Sequence, residues 1–402
     1  MSHRSTKEYL NEVEKVSAKN YHPLPVVLTK GEGCWVWDVE GKKYLDMLSA
    51  YSAVNQGHRH PKIIKALKDQ ADRITLTSRA FHNDQMGPFL ARLCEVSGYQ
   101  KALPMNTGAE AVETALKAAR RWGYLKKDID QDAAEIIVCA DNFHGRTITI
   151  VSFSTEELYK DGFGPITPGF KTIPFGNTDA LEKAINQNTC AFLAEPIQCE
   201  AGVNIPPSGY LTKVREITKK HNILFMADEI QTGLGRTGKM FACDHENIKP
   251  DVMIVGKALG GGVYPVSAIL ANEEVMDAFV PGNHGSTFGG NPLGAAVGLA
   301  SLNVLVDEKL PEAGLEMGNY ILKQLSNFES KYIKEIRGKG LIVGIEIKKD
   351  FGKARLFCEE MMKQGILAKE THDQVIRICP PLIIDRKTVD WALEVIRKVL
   401  VP

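Results

Sequence analysis

Apolar positions recur with two different periods along the chain, and the change from one to the other marks the first boundaries. Residues 33–47 keep a period of two: Cys34 to Asp38, a Glu40-Gly41 turn, then Lys43 to Met47, which predicts a β-hairpin. The 20 residues at the start read as a polar helical arm. From about residue 60 the period lengthens. Pro61–Asp72 carries Ile63, Ile64 and Leu67 on one face, and Ala109–Trp122 carries Val112, Ala115, Leu116 and Ala119. Short, nearly continuous apolar runs stand between the helices: Glu135–Ala140, Cys190–Ala194, Ile223–Ala227, Val252–Val255 and Val266–Leu270. Runs of this length are the signature of buried parallel strands, so an α/β fold is expected, with a mostly parallel sheet covered by helices on both faces.

After about residue 292 the texture shifts to long helices with one β-rich patch, Leu341–Ile347 and then Val375–Cys379. A chain of 402 residues is long enough for two domains. The expected division is a large domain over 51–295 and a smaller α+β domain over 296–402. Residues 1–50, the arm and hairpin, are expected to pack with the latter, since chain ends often lie together.

Composition narrows the function classes. Lys plus Arg and Asp plus Glu are 49 each, and so balanced a charge argues against a nucleic-acid partner. The eight cysteines show no Cys-x-x-Cys spacing, and several lie in apolar runs, which reads as reduced, buried thiols of a cytoplasmic protein. The N-terminus has Glu8, Glu12 and Glu14 and no apolar core of a signal peptide. The longest uncharged stretch, Gly285–Val306, is punctuated by glycines and Pro292, and so reads as a loop entering a core helix rather than a membrane span. His58-Arg59-His60 has a metal-like spacing but no evident third ligand, and is read as the start of a helix with no metal.

Ligands of open α/β sheets bind beyond the carboxyl ends of the strands, so the residues that end each apolar run are the candidates. Ile223–Ala227 ends in Asp228-Glu229. Val252–Val255 ends in Gly256-Lys257, followed by Gly260-Gly261-Gly262. About one βαβ unit separates the two ends, which would set a carboxylate and an amine side by side on adjacent strands. Taken alone, Lys257 reads more readily as a surface lysine capping a strand and Asp228 as a helix N-cap, but a lysine between an apolar run and three glycines is not on an ordinary solvated face. Thr107-Gly108-Ala109-Glu110 opens a helix, whose free N–H groups suit a phosphate, although Thr107 and Glu110 also form a capping-box pattern. The run ending at Ala140 leads to Phe143, an aromatic that could stack on a flat ring. Lysine for an imine, carboxylate for a pyridinium nitrogen, phosphate cradle and stacking face are together the requirements of pyridoxal phosphate.

Five motifs then carry a resemblance: Asn20-Tyr21-His22-Pro23-Leu24-Pro25, Tyr51-Ser52-Ala53-Val54-Asn55-Gln56-Gly57-His58, Asp228-Glu229-Ile230-Gln231-Thr232-Gly233, Gly256-Lys257-Ala258-Leu259, and His284-Gly285-Ser286-Thr287-Phe288-Gly289-Gly290-Asn291-Pro292. From about Asn20 onward the chain resembles the class III, or ω-amino acid, aminotransferases of the fold type I pyridoxal phosphate enzymes. The resemblance implies a large domain with a mostly parallel sheet plus a smaller α+β domain. It implies that Lys257 binds the cofactor aldehyde, Asp228 pairs with the ring nitrogen, Gln231 bonds the ring hydroxyl, Phe143 stacks, and Thr107, Gly108 and Ala109 hold the phosphate. Ser286 and Thr287 would hold the phosphate of a neighbouring subunit, which implies a homodimer or higher homo-oligomer.

The substrates implied are ornithine, which gives up its δ-amine, and 2-oxoglutarate, which receives it; the products are glutamate 5-semialdehyde, which cyclises to pyrroline-5-carboxylate, and glutamate. Such a site needs two carboxylate receptors, and the nearer must be silent in the first half-reaction. By resemblance Arg146 takes the distal carboxylate of ornithine, with Tyr21 at its α-amine and Tyr51 lining the pocket. Arg377 takes the near carboxylate of the oxo acid, and Glu200 masks Arg377 while ornithine is bound. Cys199 stands where the family often has glycine, and a need for positive φ there would reshape the Glu200 loop. Acetylornithine, 4-aminobutyrate or another ω-amine is the alternative substrate. A nicotinamide-dependent oxidoreductase fits poorly, because Gly260-Gly261-Gly262 lacks the Gly-x-Gly-x-x-Gly order.

Overall fold

The computed structural model describes residues 4–401. β1 (Leu28–Glu32), β2 (Trp35–Asp38) and β3 (Lys43–Asp46) form an antiparallel meander, and the β2–β3 hairpin turns at Glu40-Gly41 as expected. The arm is the helix Thr6–Val16, which buries no residue. The central sheet holds β4 (Lys101–Met105), β5 (Glu135–Cys139), β6 (Phe170–Ile173), β7 (Thr189–Ala194), β8 (Leu224–Asp228), β9 (Val252–Val255) and β10 (Ser267–Ala271), in the order β4-β10-β9-β8-β7-β5-β6. The segment from β9 to β6 is parallel. β10 runs antiparallel to both β9 and β4.

This corrects the expectation that the run Val266–Leu270 is a parallel strand. A parallel return needs a crossover of a dozen or more residues, usually a helix. The glycine-rich link after β9 holds only a short 3₁₀ turn, Lys257–Gly260, so the chain comes straight back.

The burial pattern explains the layers. β7 and β8 are buried at every position, and side chains alternate between two cores. Ile136, Val138, Leu193 and Met226 pack with Val112, Ala115 and Ala119 of the helix Gly108–Lys126. Ile137, Cys139, Phe192 and Phe225 pack with Leu211, Val214 and Ile217 of the helix Tyr210–Lys220. Each such large apolar side chain is worth about 1.5–3 kcal/mol when fully buried.

The remaining strands are β11 (Ile333–Lys339), β12 (Ile342–Ile347), β13 (Ile366–Leu367), β14 (Lys369–Thr371) and β15 (Val375–Ile378). β11-β12-β15-β14 is an antiparallel sheet, while β13 joins β3 in parallel and so ties the N-terminal meander to the C-terminal region. The uncharged stretch near residue 290 leads, as expected, into a buried helix, Pro292–Asp307, with Asn291 as N-cap and Pro292 in the first turn. Its small residues permit close packing: a Cβ on Gly298 would lie 2.6 Å from the Phe89 ring. Among the described residues no helix is long and apolar enough to cross a membrane.

Candidate active site

Five strand ends, those of β4, β5, β7, β8 and β9, converge on one cavity of about 180 Å³, lined by Gly108, Ala109, Phe143, His144, Glu195, Asp228, Gln231 and Lys257. β8 and β9 are hydrogen-bonded neighbours with Asp228 paired to Ile254, so the carboxylate and the amine do stand side by side. A larger groove around Tyr332 and Phe357 contains none of these residues.

Lys257 sits just beyond β9 in the left-handed region, at φ 46°. A non-glycine residue there is uncommon and is held by its surroundings. Burial lowers the affinity of its amine for a proton, and the carboxylates of Glu200 and Asp228 only partly restore it. Asp228 is 4% exposed. Its Oδ1 accepts the Ile230 amide at 3.0 Å, and its Oδ2 accepts from His144 Nδ1 at 2.6 Å. His144 Nε2 is buried without a partner. Glu195 directly follows β7 and accepts the Phe143 amide at 3.1 Å, which fixes the backbone of the aromatic. Burial, reinforced by Asp228, pushes its carboxyl well above the usual carboxylate range. The sequence reading assigned roles to neither His144 nor Glu195. Applying the strand-end rule to the run Cys190–Ala194 would have found Glu195; His144 carries no signal beyond its place next to Phe143.

The capping box is present. The Thr107 hydroxyl accepts the Glu110 amide at 3.2 Å, and Glu110 accepts the Thr107 amide at 2.7 Å. This arrangement leaves the amides of Gly108 and Ala109 without an acceptor among the described residues, so the structural and the phosphate-binding readings of this turn are compatible. Gly145, at φ 130°, lets the chain pass close to the same turn; a Cβ there would lie 3.0 Å from that of Ala109.

Arg377 lies in the middle of β15 and is 1% exposed. Its Nη1 donates to Glu200 Oε1 at 2.9 Å and to Gln231 Oε1 at 3.4 Å. Its Nε and Nη2 are buried and unpartnered. Burial raises the proton affinity of Glu200, but Arg377 and Lys257 outweigh it and hold the carboxyl below its ordinary value. The Tyr51 ring lies 4.7 Å from the Arg377 guanidinium. Tyr51 belongs to a run, Ser49 to Ser52, in which all four residues have positive φ, and Asp46 Oδ1 accepts the Leu48 and Ser49 amides that enter it.

Cys199 leaves this loop intact. Positive φ falls on Gly202 and Val203 instead, and the buried thiol donates to the Ile197 carbonyl at 3.5 Å. Burial pushes that thiol well above its ordinary value, so it is not a reactive thiolate. All eight cysteines are free.

Arg146 is exposed, with its guanidinium 3.5 Å from the Tyr159 ring centroid and 5.6 Å from that of Phe143; no carboxylate pairs with it among the described residues. Tyr21 is 81% exposed and lies near Tyr51. Ser286 is tied to Asn106 at 3.0 Å and Thr287 is exposed; neither lines the cavity of its own chain. His58 and His60 do not share a ligand. They pair separately with Asp46 and Glu308, and no metal-binding cluster occurs among the described residues.

A buried amine held next to a carboxylate, two spare helix amides and an aromatic face fit pyridoxal phosphate. The chain belongs to the class III aminotransferases: the family model for aminotransferase class-III matches residues 16–400. These are pyridoxal phosphate-dependent enzymes of fold type I. The ornithine aminotransferase of Geobacillus sp. strain WCH70 is 60% identical over 394 residues, 98% of each chain. The crystal structure of the ornithine aminotransferase from Toxoplasma gondii ME49 superposes with a TM-score of 0.97 at 44% identity, covering 98% of this chain and 95% of that one. The acetylornithine aminotransferase from Elizabethkingia anophelis gives 0.90 at 47% identity, covering 99% of each.

Proposed function

We propose that the protein transfers the δ-amino group of ornithine to 2-oxoglutarate. The observation that carries this reading is the unequal state of two arginines that stand behind the cavity lining, Arg146 against Phe143 and Arg377 bonded to Gln231. Arg146 is exposed and free for a carboxylate from the first amine onward. Arg377 is buried and already occupied by Glu200 at 2.9 Å. A substrate whose carboxylate lies far from the reacting amine uses the first and leaves the second masked. An oxo acid, with its carboxylate adjacent to the reacting carbon, needs the second.

Magnitudes allow the exchange. Arg377 is 1% exposed and the Glu200 side chain 24%, so leaving the guanidinium unpaired carries a desolvation cost that keeps Arg377 closed in the amine half. An incoming carboxylate replaces Glu200 like for like, so the penalty does not arise when the oxo acid enters. The two unpartnered donors of Arg377 suit bidentate binding.

Bound pyridoxal phosphate supplies the aldehyde that accepts the amino group and a ring that takes up the electrons released at the substrate carbon. The chain's own residues do the rest. Lys257 Nζ, its basicity lowered by burial, accepts and returns the proton at the reacting carbon. Asp228, oriented by His144, holds a proton on the ring nitrogen. Gln231 bonds the ring hydroxyl, and Thr107, Gly108 and Ala109 hold the phosphate.

We assign residues 51–295 to the cofactor-binding domain, 296–402 to the small domain, and 1–50 to a segment packed on it, which the β3–β13 pairing supports. The working unit in this reading is a cytoplasmic homodimer in which Ser286 and Thr287 complete the neighbour's phosphate site. Exposure of Thr287 and of Phe288, at 46%, supports it, and sedimentation of the purified protein tests it.

The Elizabethkingia relative favours a second reading, acetylornithine as the amine donor. Visible spectra of the loaded enzyme separate the two. Ornithine alone bleaching the cofactor band faster than acetylornithine or 4-aminobutyrate supports the first reading, and the reverse order supports the second.

A further inference from the structure

Arg236 lies in the turn after β8 and is completely buried. Its Nη1 donates to the Leu341 carbonyl at 2.8 Å and the Pro380 carbonyl at 2.6 Å, and its Nη2 donates to Asn55 Oδ1 at 2.5 Å. Its Nε has no partner, and among the described residues no carboxylate pairs with it. The acidic group that acts on it, Asp46, is already engaged by two backbone amides and His58.

Arg236 therefore puts a cation into the core with only neutral acceptors. Apolar packing would be no less stable there, and arginine does not shed its proton to escape the cost. Its three acceptors place it where the site's outer wall is assembled. Asn55 follows the Tyr51 turn, Pro380 follows Arg377, and Arg377 is close enough to repel it. The Arg377–Glu200 pair sums to zero charge, and Asp46 acts on Arg236 without forming an ion pair with it, so Arg236 brings to this wall a buried cation with no contact counter-ion.

We propose that Arg236 is a positioning residue for the oxo-acid half-reaction: its buried charge, without a contact counter-ion, biases the Arg377 wall toward dicarboxylates while its three hydrogen bonds hold that wall in register. The proposal rests on the reading of Arg377 as the carboxylate receptor. A buried unit charge acts strongly over a site from which water is excluded. It favours a dianion and does nothing for the ammonium end of ornithine.

Asn55→Asp tests the charge: it keeps the acceptor for Arg236 and neutralises the pair, and Asn55→Leu, which loses the same Nδ2 bond to the Leu234 carbonyl without adding a charge, controls for that bond. The readouts on the holoenzyme are calorimetric affinity for glutarate, an unreactive dicarboxylate, and the rate of cofactor-band bleaching by ornithine alone. The expected result is glutarate binding about tenfold weaker with ornithine bleaching within about twofold of the parent. Unchanged glutarate affinity, or an equal loss in both readouts, overturns the proposal in favour of a merely structural arginine. Should Asn55→Asp fail to fold, Arg236→Lys against Arg236→Gln decides: the lysine variant should retain glutarate about fivefold better, and equal affinities overturn the proposal. Arg377→Gln is the control, since glutarate binding that ignores it refutes the underlying reading of Arg377 instead.

Discussion

Lys257 and Asp228 hang from two adjacent strands of one buried sheet, whereas Arg377, Glu200 and Tyr51 come from a second sheet, a loop and a left-handed turn. The first group is fixed by secondary structure: parallel pairing of β8 and β9 places an amine beside a carboxylate with little help. The second is assembled from segments far apart in sequence, and buried polar contacts hold it. Thr371 donates to the Glu200 carbonyl, Asp46 holds the entry to the Tyr51 turn, and the Cys379 amide donates to the Met47 carbonyl at 2.6 Å. Chemistry common to a family can sit on the rigid end, while substrate choice sits where a few contacts can be rearranged. The relatives that share this fold yet carry two different amine-donor names fit that division.

The comparison can be broken from either side. At the rigid end, Lys257→Ala should cost about 10⁴-fold in turnover and abolish the visible cofactor band, leaving the far-ultraviolet dichroism unchanged. At the assembled end, Arg377→Gln should raise KM for 2-oxoglutarate about a hundredfold with little effect on ornithine. Glu200→Gln unmasks Arg377 permanently, so the discrimination between ornithine and an α-amino acid such as glutamate as amine donor should fall about tenfold, measured as the ratio of kcat/KM values.

The same pair sets a pH dependence. Glu200 is held below its ordinary value of 4.5. Its contribution to stability is therefore complete above that pH and lost as pH falls through the depressed value. The acid limb of a stability–pH curve should be shallower in Glu200→Gln than in the parent. Smallest of all, Thr107→Ala removes an N-cap worth about 1 kcal/mol. It should lower Tm by a few degrees and weaken cofactor retention, with kcat at saturating cofactor nearly unchanged.

The two ends also differ in how legible they are. Apolar runs that stop at Asp228 and Lys257 are visible in any single sequence, because strand burial imposes them. The parallel core, the hairpin and the buried helix after Asn291 follow from the same local rules. β10 did not, since apolar content reports burial and only the length of the connection reports direction. Arg377 looks like any arginine in an apolar strand, and nothing local pairs it with Glu200 or aims Tyr51 at it. Those contacts are tertiary, and only resemblance to a family pointed to them. Glu195 stands between these extremes, directly after a buried strand, whereas His144 is marked only by its bond to Asp228.

The central claim is that an open and a masked carboxylate receptor, Arg146 and Arg377, flank one cavity. Single-turnover spectroscopy of Arg377→Gln, with ornithine alone and then with 2-oxoglutarate alone, tests it most directly. The account predicts that ornithine converts the cofactor at close to the parental rate and that 2-oxoglutarate restores it about a hundredfold more slowly. Equal slowing of both steps, or unimpaired restoration by 2-oxoglutarate, would contradict it.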